Sequence, residues 1–401
     1  MSRESDWRWL LHGGLGRSKK VRFVCYSFYS FPALLCNLQR QSGRVKWIFQ
    51  VSLLLLIFGA SRVPSAGAFT SLYVFGDGLS TTTNLYGQSS PGLPDYYGNR
   101  FCNGRVWVEV LAQRQQLEMK TNNHSFFGHY SENLKTNVAE FVPPPDANSG
   151  LFVIWVNNAD FVDFMARFPA PYTSNSIPIW TNAMNQALSN HVTAVETLYA
   201  KGVRTLVMPN AVDITKAPNY NFFAATNKAF VRQRIIEFNS GFASRIVQLR
   251  LSHSDLRIVS PDFFALTDGI LANPVAYGMT NSTGNVLEDL LNTSFTGPGT
   301  NFVFWDYLHP TAKVHEILAD TAQLLISPAR ISAITSNGIP QLSVIDLPVG
   351  LSGFVEGTTN LTSWSQTQSF NSTNATQTIA VPASGTMQFY RLRFPFAWSW
   401  P

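Results

Sequence analysis

Four short runs of almost unbroken apolar residues, each followed by a stretch with helical spacing, limit this chain to very few architectures. The runs are Ser71–Phe75, Leu151–Trp155, Thr205–Met208 and Leu256–Ser260. A run without alternation suits a strand buried on both faces, and such strands belong to parallel sheets covered by helices. The intervening segments supply those helices. Val106–Gln113 is expected as a helix opened by Asn103-Gly104, and Phe161–Met165 as a second helical run after a polar turn. Over residues 181–200, Met184, Ala187, Leu188, His191, Val192, Val195 and Leu198 fall on one helical face, and Gly202 ends that helix. A longer amphipathic helix is expected over 221–250, and another over Ala312–Leu325. The class implied is α/β, with a central parallel sheet whose strand order the pattern leaves open.

The texture changes at about residue 330. Residues 69–330 carry the strand–helix alternation, 331–340 read as a linker, and 341–401 read as a small β-rich module of short runs between Gly, Asn, Ser and Thr. Residues 1–68 read differently again. Arg44 and Lys46 precede an apolar run from Trp47 to Ala60, and Ala66-Gly67-Ala68 has the small-x-small form of a cleavage site. The expectation is a leader with a signal peptide, or an N-terminal anchor, and a secreted or periplasmic protein. This leader holds ten Lys/Arg against two Asp/Glu, so the net charge of +5 is its doing. The remainder has 19 Lys/Arg and 22 Asp/Glu. That mildly acidic body has no footprint for nucleic acid. Cys25 and Cys36 lie in the leader, which leaves Cys102 without an intramolecular disulfide partner. Asn-x-Ser/Thr triplets stand at Asn123, Asn281, Asn292, Asn360, Asn371 and Asn374, and bear glycans only in a host that glycosylates exported proteins.

Three places carry chemistry. In Asp306-Tyr-Leu-His309-Pro-Thr, an Asp three residues before a His can accept the Nδ1 proton, fix the ring's tautomer and leave Nε2 as a base. The same spacing also suits a helix cap beside a structural histidine. Gly76-Asp77-Gly78-Leu79-Ser80 closes the first strand with two glycines, which permit tight geometry and exposed amides. Trp155-Val-Asn157-Asn158-Ala159-Asp160 places polar amides at a strand's carboxyl end, where open α/β sheets hold ligands. Taken alone it also reads as a helix-capping turn. No metal cluster, phosphate loop or nucleotide fingerprint appears, so no cofactor and no metal are expected.

In this order the segments resemble the SGNH (GDSL) hydrolases, in particular their secreted esterase and lipase branch. The family's Gly-Asp-Ser-Leu-Ser is matched by Gly76-Asp77-Gly78-Leu79-Ser80. Arg100-Phe-Cys-Asn-Gly104-Arg-Val-Trp-Val-Glu109 matches its second block, and Asn157-Asn-Ala-Asp160 matches Gly-x-Asn-Asp. Asp306 to Thr311 keeps the last block, and Val275–Asn281 resembles a stretch upstream of it. The resemblance covers about 69–330 and implies a three-layer sandwich around the parallel sheet. It also implies an ester substrate, either a small molecule or a lipid or glycan ester.

What the resemblance implies for the site is divided. His309 and Asp306 stand at the positions of the family's base and its orienting acid, and Gly104 at that of an oxyanion-hole amide. Gly78 occupies the nucleophile's position and Ala159 that of the oxyanion asparagine. Loss of the nucleophile lowers turnover by about a million-fold in a well-studied serine hydrolase. Loss of one oxyanion donor costs roughly 3–4 kcal/mol. Four substitutes deserve testing: Ser80 or Cys102 as nucleophile, Asn157 or Asn158 as oxyanion donor, and a water activated by His309 in the space left at Gly78. Two functions follow, a hydrolase with residual or altered catalysis through Asp306–His309, or a pseudoenzyme that binds an acylated glycan or lipid. The C-terminal module offers a cell-surface contact, or is only a structural addition.

Overall fold

The computed structural model describes residues 69–82, 95–291, 297–336, 339–382 and 389–394. The stretch read as a leader, with Cys25 and Cys36, and the triplet at Asn292, lie outside the described residues.

The four apolar runs form one parallel sheet of β1 (Leu72–Gly76), β2 (Leu151–Trp155), β3 (Thr205–Val207) and β4 (Arg257–Val259). Strand order follows the chain, from the Leu72–Leu151 pairing through Leu151–Thr205 to Thr205–Arg257. Apart from half-buried Arg257, every residue of these strands is buried, as strands covered on both faces require. The helices between them are α1 (Trp107–Gln115), α2 (Ser131–Glu140), α3 (Asn157–Arg167), α4 (Ser176–Ala200) and α5 (Ala225–Ser252), and α6 (Phe263–Ala272) follows β4. After a short helix, α7 (Val286–Leu290), the last is α8 (Ala312–Ile326). Helix α1 packs on α8, while α4 packs on both α2 and α5. Trp107, Trp155 and Phe263 meet edge to face at 5.1–5.6 Å between ring centroids and lock α1, β2 and α6 together.

A short parallel pair, β5 (Asn281–Asn285) and β6 (Phe302–Phe304), stands outside the main sheet and delivers the chain to the Asp306–His309 loop. The Thr311 amide donates to the Val303 carbonyl at 2.9 Å, and the Trp305 amide to His309 O at 2.8 Å. These bonds fold residues 305–311 into a tight loop directly ahead of α8. The Asn103 side chain accepts from the Ala312 amide at 2.8 Å, satisfying one free donor at the start of that helix.

Beyond α8, strands β7 (Arg330–Ser336), β8 (Pro340–Ile345), β9 (Ser352–Thr358), β10 (Ser365–Asn371), β11 (Gln377–Ala380) and β12 (Phe389–Arg393) form two antiparallel sheets of order 11-8-7 and 10-9-12. Most of the stretch read as a linker is therefore strand β7, in register with β8. Leu342, Val344, Val355, Ile379 and Tyr390 give these strands a core of their own. Arg114 of α1 joins the two regions. Its side chain pairs with Glu316 and Asp320 of α8 at 2.8 Å each, and its carbonyl accepts from the Val349 amide. No helix among the described residues is long and apolar enough to cross a membrane.

Candidate active site

The Asp306-x-x-His309 spacing forms a pair. His309 Nδ1 lies 3.0 and 2.9 Å from the two Asp306 carboxylate oxygens. The Leu308 and His309 amides both donate to Asp306 Oδ1 at 2.7 Å. Burial would raise the Asp306 carboxyl, but His309 and these amides hold it below the usual carboxylate range. An ionised Asp306 requires the proton on Nδ1, so neutral His309 presents Nε2 as an acceptor.

Two aromatic residues complete this arrangement. The Tyr96 hydroxyl donates to Asp306 Oδ2 at 3.1 Å, and Phe101 stacks on the His309 ring with centroids 4.7 Å apart. Neither was singled out in the sequence. Tyr96 sits in a polar loop without periodicity, whereas Phe101 belongs to the Arg-Phe-Cys-Asn-Gly block and was open to notice.

His309 Nε2 faces Gly78. A Cβ added at Gly78 would lie 2.8 Å from Nε2 and 3.4 Å from Phe127, so the imidazole encroaches on the place of a serine side chain. Gly78 and His309 share the wall of a cavity that is otherwise largely apolar, built from Leu79, Phe127, Val162, Ile214, Ile270 and Leu318 among others. Asp77, Asn158 and Ala159 line it too. Burial pushes the Asp77 carboxyl up to about 6, against the lowering effect of the Leu79 amide and of His309.

The other sequence candidates separate. Asn158 is buried and lines the cavity. Its Oδ1 accepts from the Val212 amide at 3.0 Å, while Nδ2 approaches Asp77 without completing a hydrogen bond of ordinary geometry. Asn157 does not line the cavity, and its Nδ2 is spent on the Pro209 carbonyl at 2.9 Å. Gly104 is buried away from the cavity, its amide beside the Cys102 sulfur. Ser80 is turned from His309: its hydroxyl accepts from Trp107 Nε1 at 3.0 Å, tight beneath Gly76. Cys102 is fully buried, and burial pushes its thiol up to about 12, so no thiolate forms there. Asn123 is buried and its amide donates to Ser80 O and Thr82 Oγ1, so that triplet serves the turn after Gly78. Asn360, Asn371 and Asn374 are exposed. Among the described residues no three His, Cys, Asp or Glu side chains gather to hold a metal ion.

Buried ionisable groups around the sheet set opposing pH trends. Burial pushes Asp77 up to about 6 and Asp160 up to about 7, so the fold binds protons that unfolded carboxyls have released. Their contribution to stability is greatest at low pH and falls as pH rises from about 4 to 7. Burial holds His129 and His315 down to about 3 and His191 down to about 4. The unfolded rings take up protons below pH 6.5 and the folded ones do not, so this contribution falls as pH drops. Three histidines against two carboxyls leave a net loss of about 1.4 kcal/mol per pH unit below 6.5. Stability by denaturant unfolding is expected to be level above about pH 7 and to decline as the pH is lowered towards 4.5. Stability that increases as the pH is lowered from 6.5 to 5 would contradict these burial assignments.

Known proteins share this arrangement of segments. The model of the GDSL-like Lipase/Acylhydrolase family matches residues 72–322. A thermolabile hemolysin of Vibrio parahaemolyticus is 22% identical over 265 residues, 61% of this chain and 61% of its own. A GDSL esterase/lipase of Arabidopsis thaliana is 22% identical over 348 residues, 68% of this chain and 92% of its own. Lipase 1 of Photorhabdus luminescens is 23% identical over 369 residues, covering 71% and 55%. The chain thus spans less than two thirds of the hemolysin and of the bacterial lipase.

Proposed function

The chain belongs to the GDSL-like lipase/acylhydrolase family, and from that premise we propose that it hydrolyses carboxylic esters of apolar acyl chains slowly, by a water that His309 activates. The observation that carries this reading is the Asp306–His309 pair with Nε2 directed at Gly78 in the wall of an apolar cavity. The acyl chain lies among Leu79, Val162, Ile214 and Ile270. A water in the cavity gives its proton to Nε2 as its oxygen attacks the carbonyl carbon, and Asp306 stabilises the imidazolium that results. The imidazolium returns its proton to the departing alkoxide, and the products are the acid and the alcohol. No acyl-enzyme forms, because Gly78 has no side chain and Ser80 and Cys102 face elsewhere.

The same absence favours the second reading, a protein that binds an acylated glycan or lipid without turning it over. Export by the leader in residues 1–68, a hydrolase-like unit over 69–330 and a surface contact through the module over 341–401 complete the proposal. The test is release of nitrophenol from p-nitrophenyl hexanoate by the full chain, with fluorophosphonate labelling alongside. Turnover above the protein-free rate without a labelled residue is expected. No turnover would leave the binding function.

A further inference from the structure

We propose that Tyr96 is a positioning residue of this site: its hydroxyl fixes the plane of the Asp306 carboxylate and so keeps the ring proton of His309 on Nδ1. The role rests on the reading of His309 as the base of the site. It concerns the side of the pair turned away from the cavity, since neither Tyr96 nor Asp306 lines that wall. Asp306 Oδ1 is held by its own loop, through the Leu308 and His309 amides at 2.7 Å each. Those bonds fix one oxygen and leave the carboxylate free to turn about it. Nδ1 lies almost equally far from both oxygens, 3.0 Å from Oδ1 and 2.9 Å from Oδ2. Among the described residues, the only other group on Oδ2 is the Tyr96 hydroxyl, at 3.1 Å. Tyr96 thus supplies the second fixed point, from 210 residues away in sequence. An O–H donated to a carboxylate is charge-assisted, about twice as strong as a neutral bond. Burial and the Asp306 charge push the Tyr96 hydroxyl well above the usual phenol range, so it stays protonated, and a donor, across neutral and mildly alkaline pH.

The phenol is itself held in place. Its ring packs against the buried Val286, Phe302 and Trp305, and meets Phe101 edge to face with centroids 6.3 Å apart. Phe101 in turn stacks on His309. The segment between the two rings is braced: the Tyr97 amide donates to the Cys102 carbonyl at 2.8 Å, and Arg100 donates twice to the Glu109 carboxylate of α1. Residues 96–101 therefore close on the pair as one clamp, with Tyr96 on the acid and Phe101 on the base. Without the hydroxyl, only Nδ1 itself steadies Oδ2. A turn of the carboxylate then weakens the preference for the Nδ1 tautomer, and a neutral ring carrying its proton on Nε2 offers no base to the cavity.

Tyr96→Phe in the full chain tests this, because it removes one oxygen atom and keeps the packed ring. The first readout is the far-downfield proton resonance of the Asp306–His309 hydrogen bond, assigned by its absence from His309→Ala. It should be sharp in the native chain and lost to exchange with water in Tyr96→Phe. The second is kcat for p-nitrophenyl hexanoate, which should fall about tenfold, near the low end for one hydrogen bond to a charged group, with KM little altered. Tyr97→Phe removes a hydroxyl from the exposed neighbour and should move neither readout. An unchanged resonance in a folded Tyr96→Phe chain would overturn the proposal, whatever happens to the rate. Loss of the resonance from Tyr97→Phe as well would also overturn it, by marking a general loosening of the loop. Loss from Tyr96→Phe alone, with kcat unchanged, would uphold the role of Tyr96 and show that hydrolysis does not pass through His309. The resonance is read without turnover, so a native chain inert towards the ester would refute hydrolysis and leave the role of Tyr96 to be decided by the spectrum.

Discussion

Gly78→Ser is expected to raise ester hydrolysis about a thousand-fold over the native chain. The cost of a missing nucleophile, about a million-fold in a comparable hydrolase, sets the upper bound. Two features hold the gain below it. The new Cβ would lie 2.8 Å from His309 Nε2, so the ring must draw back several tenths of an ångström before the hydroxyl can meet it. Ala159 supplies no side-chain donor, and one missing oxyanion donor is worth about a hundred- to a thousand-fold. Gly78 does not require the left-handed region, so serine fits its backbone. The measurement is kcat for p-nitrophenyl hexanoate, with covalent labelling by a fluorophosphonate. A folded Gly78→Ser protein that is neither faster nor labelled would show that His309 is not placed to activate a group at this position.

Asp306→Asn is expected to remove nearly all of the native chain's hydrolysis, although it changes only one atom of the pair. The Asp306 carboxylate accepts from Nδ1. An amide in its place can donate to Nδ1 instead, which moves the ring proton to Nε2 and abolishes the base. In a serine protease triad the same substitution costs about 10⁴ in kcat. The loss should fall on kcat with KM little altered, because Asp306 does not line the acyl cavity. Undiminished kcat would mean that catalysis passes through some group other than His309.

The sheet was legible because β1 to β4 are buried on both faces and carry no alternation to confuse with a helix. Boundaries were less so. The polar turn read at Asn157–Asp160 is the first turn of α3, since amide and carboxyl side chains suit a loop and a helix start equally. Residues 331–340 looked like a linker from their Gly, Asn and Pro, yet 331–336 belong to a strand paired with the one that follows, a pairing that local composition does not encode. Within the site, the Asp306–His309 pair could be read from spacing because both residues share one short loop. Asn157 and Asn158 could not be told apart in sequence. A rotation of about 100° per residue sends one side chain to the Pro209 carbonyl and the other to the Val212 amide at the cavity wall. Tyr96 reaches Asp306 across more than two hundred residues, and nothing local marks it.

The most direct test of the account compares p-nitrophenyl hexanoate hydrolysis by the native chain with that by His309→Ala. Slow native turnover, a fall of at least a hundred-fold on removal of the base, and no acyl adduct in the intact mass of the native protein during turnover are expected. Equal rates in the two proteins, or an adduct on the native chain, would contradict a water-based reaction at His309.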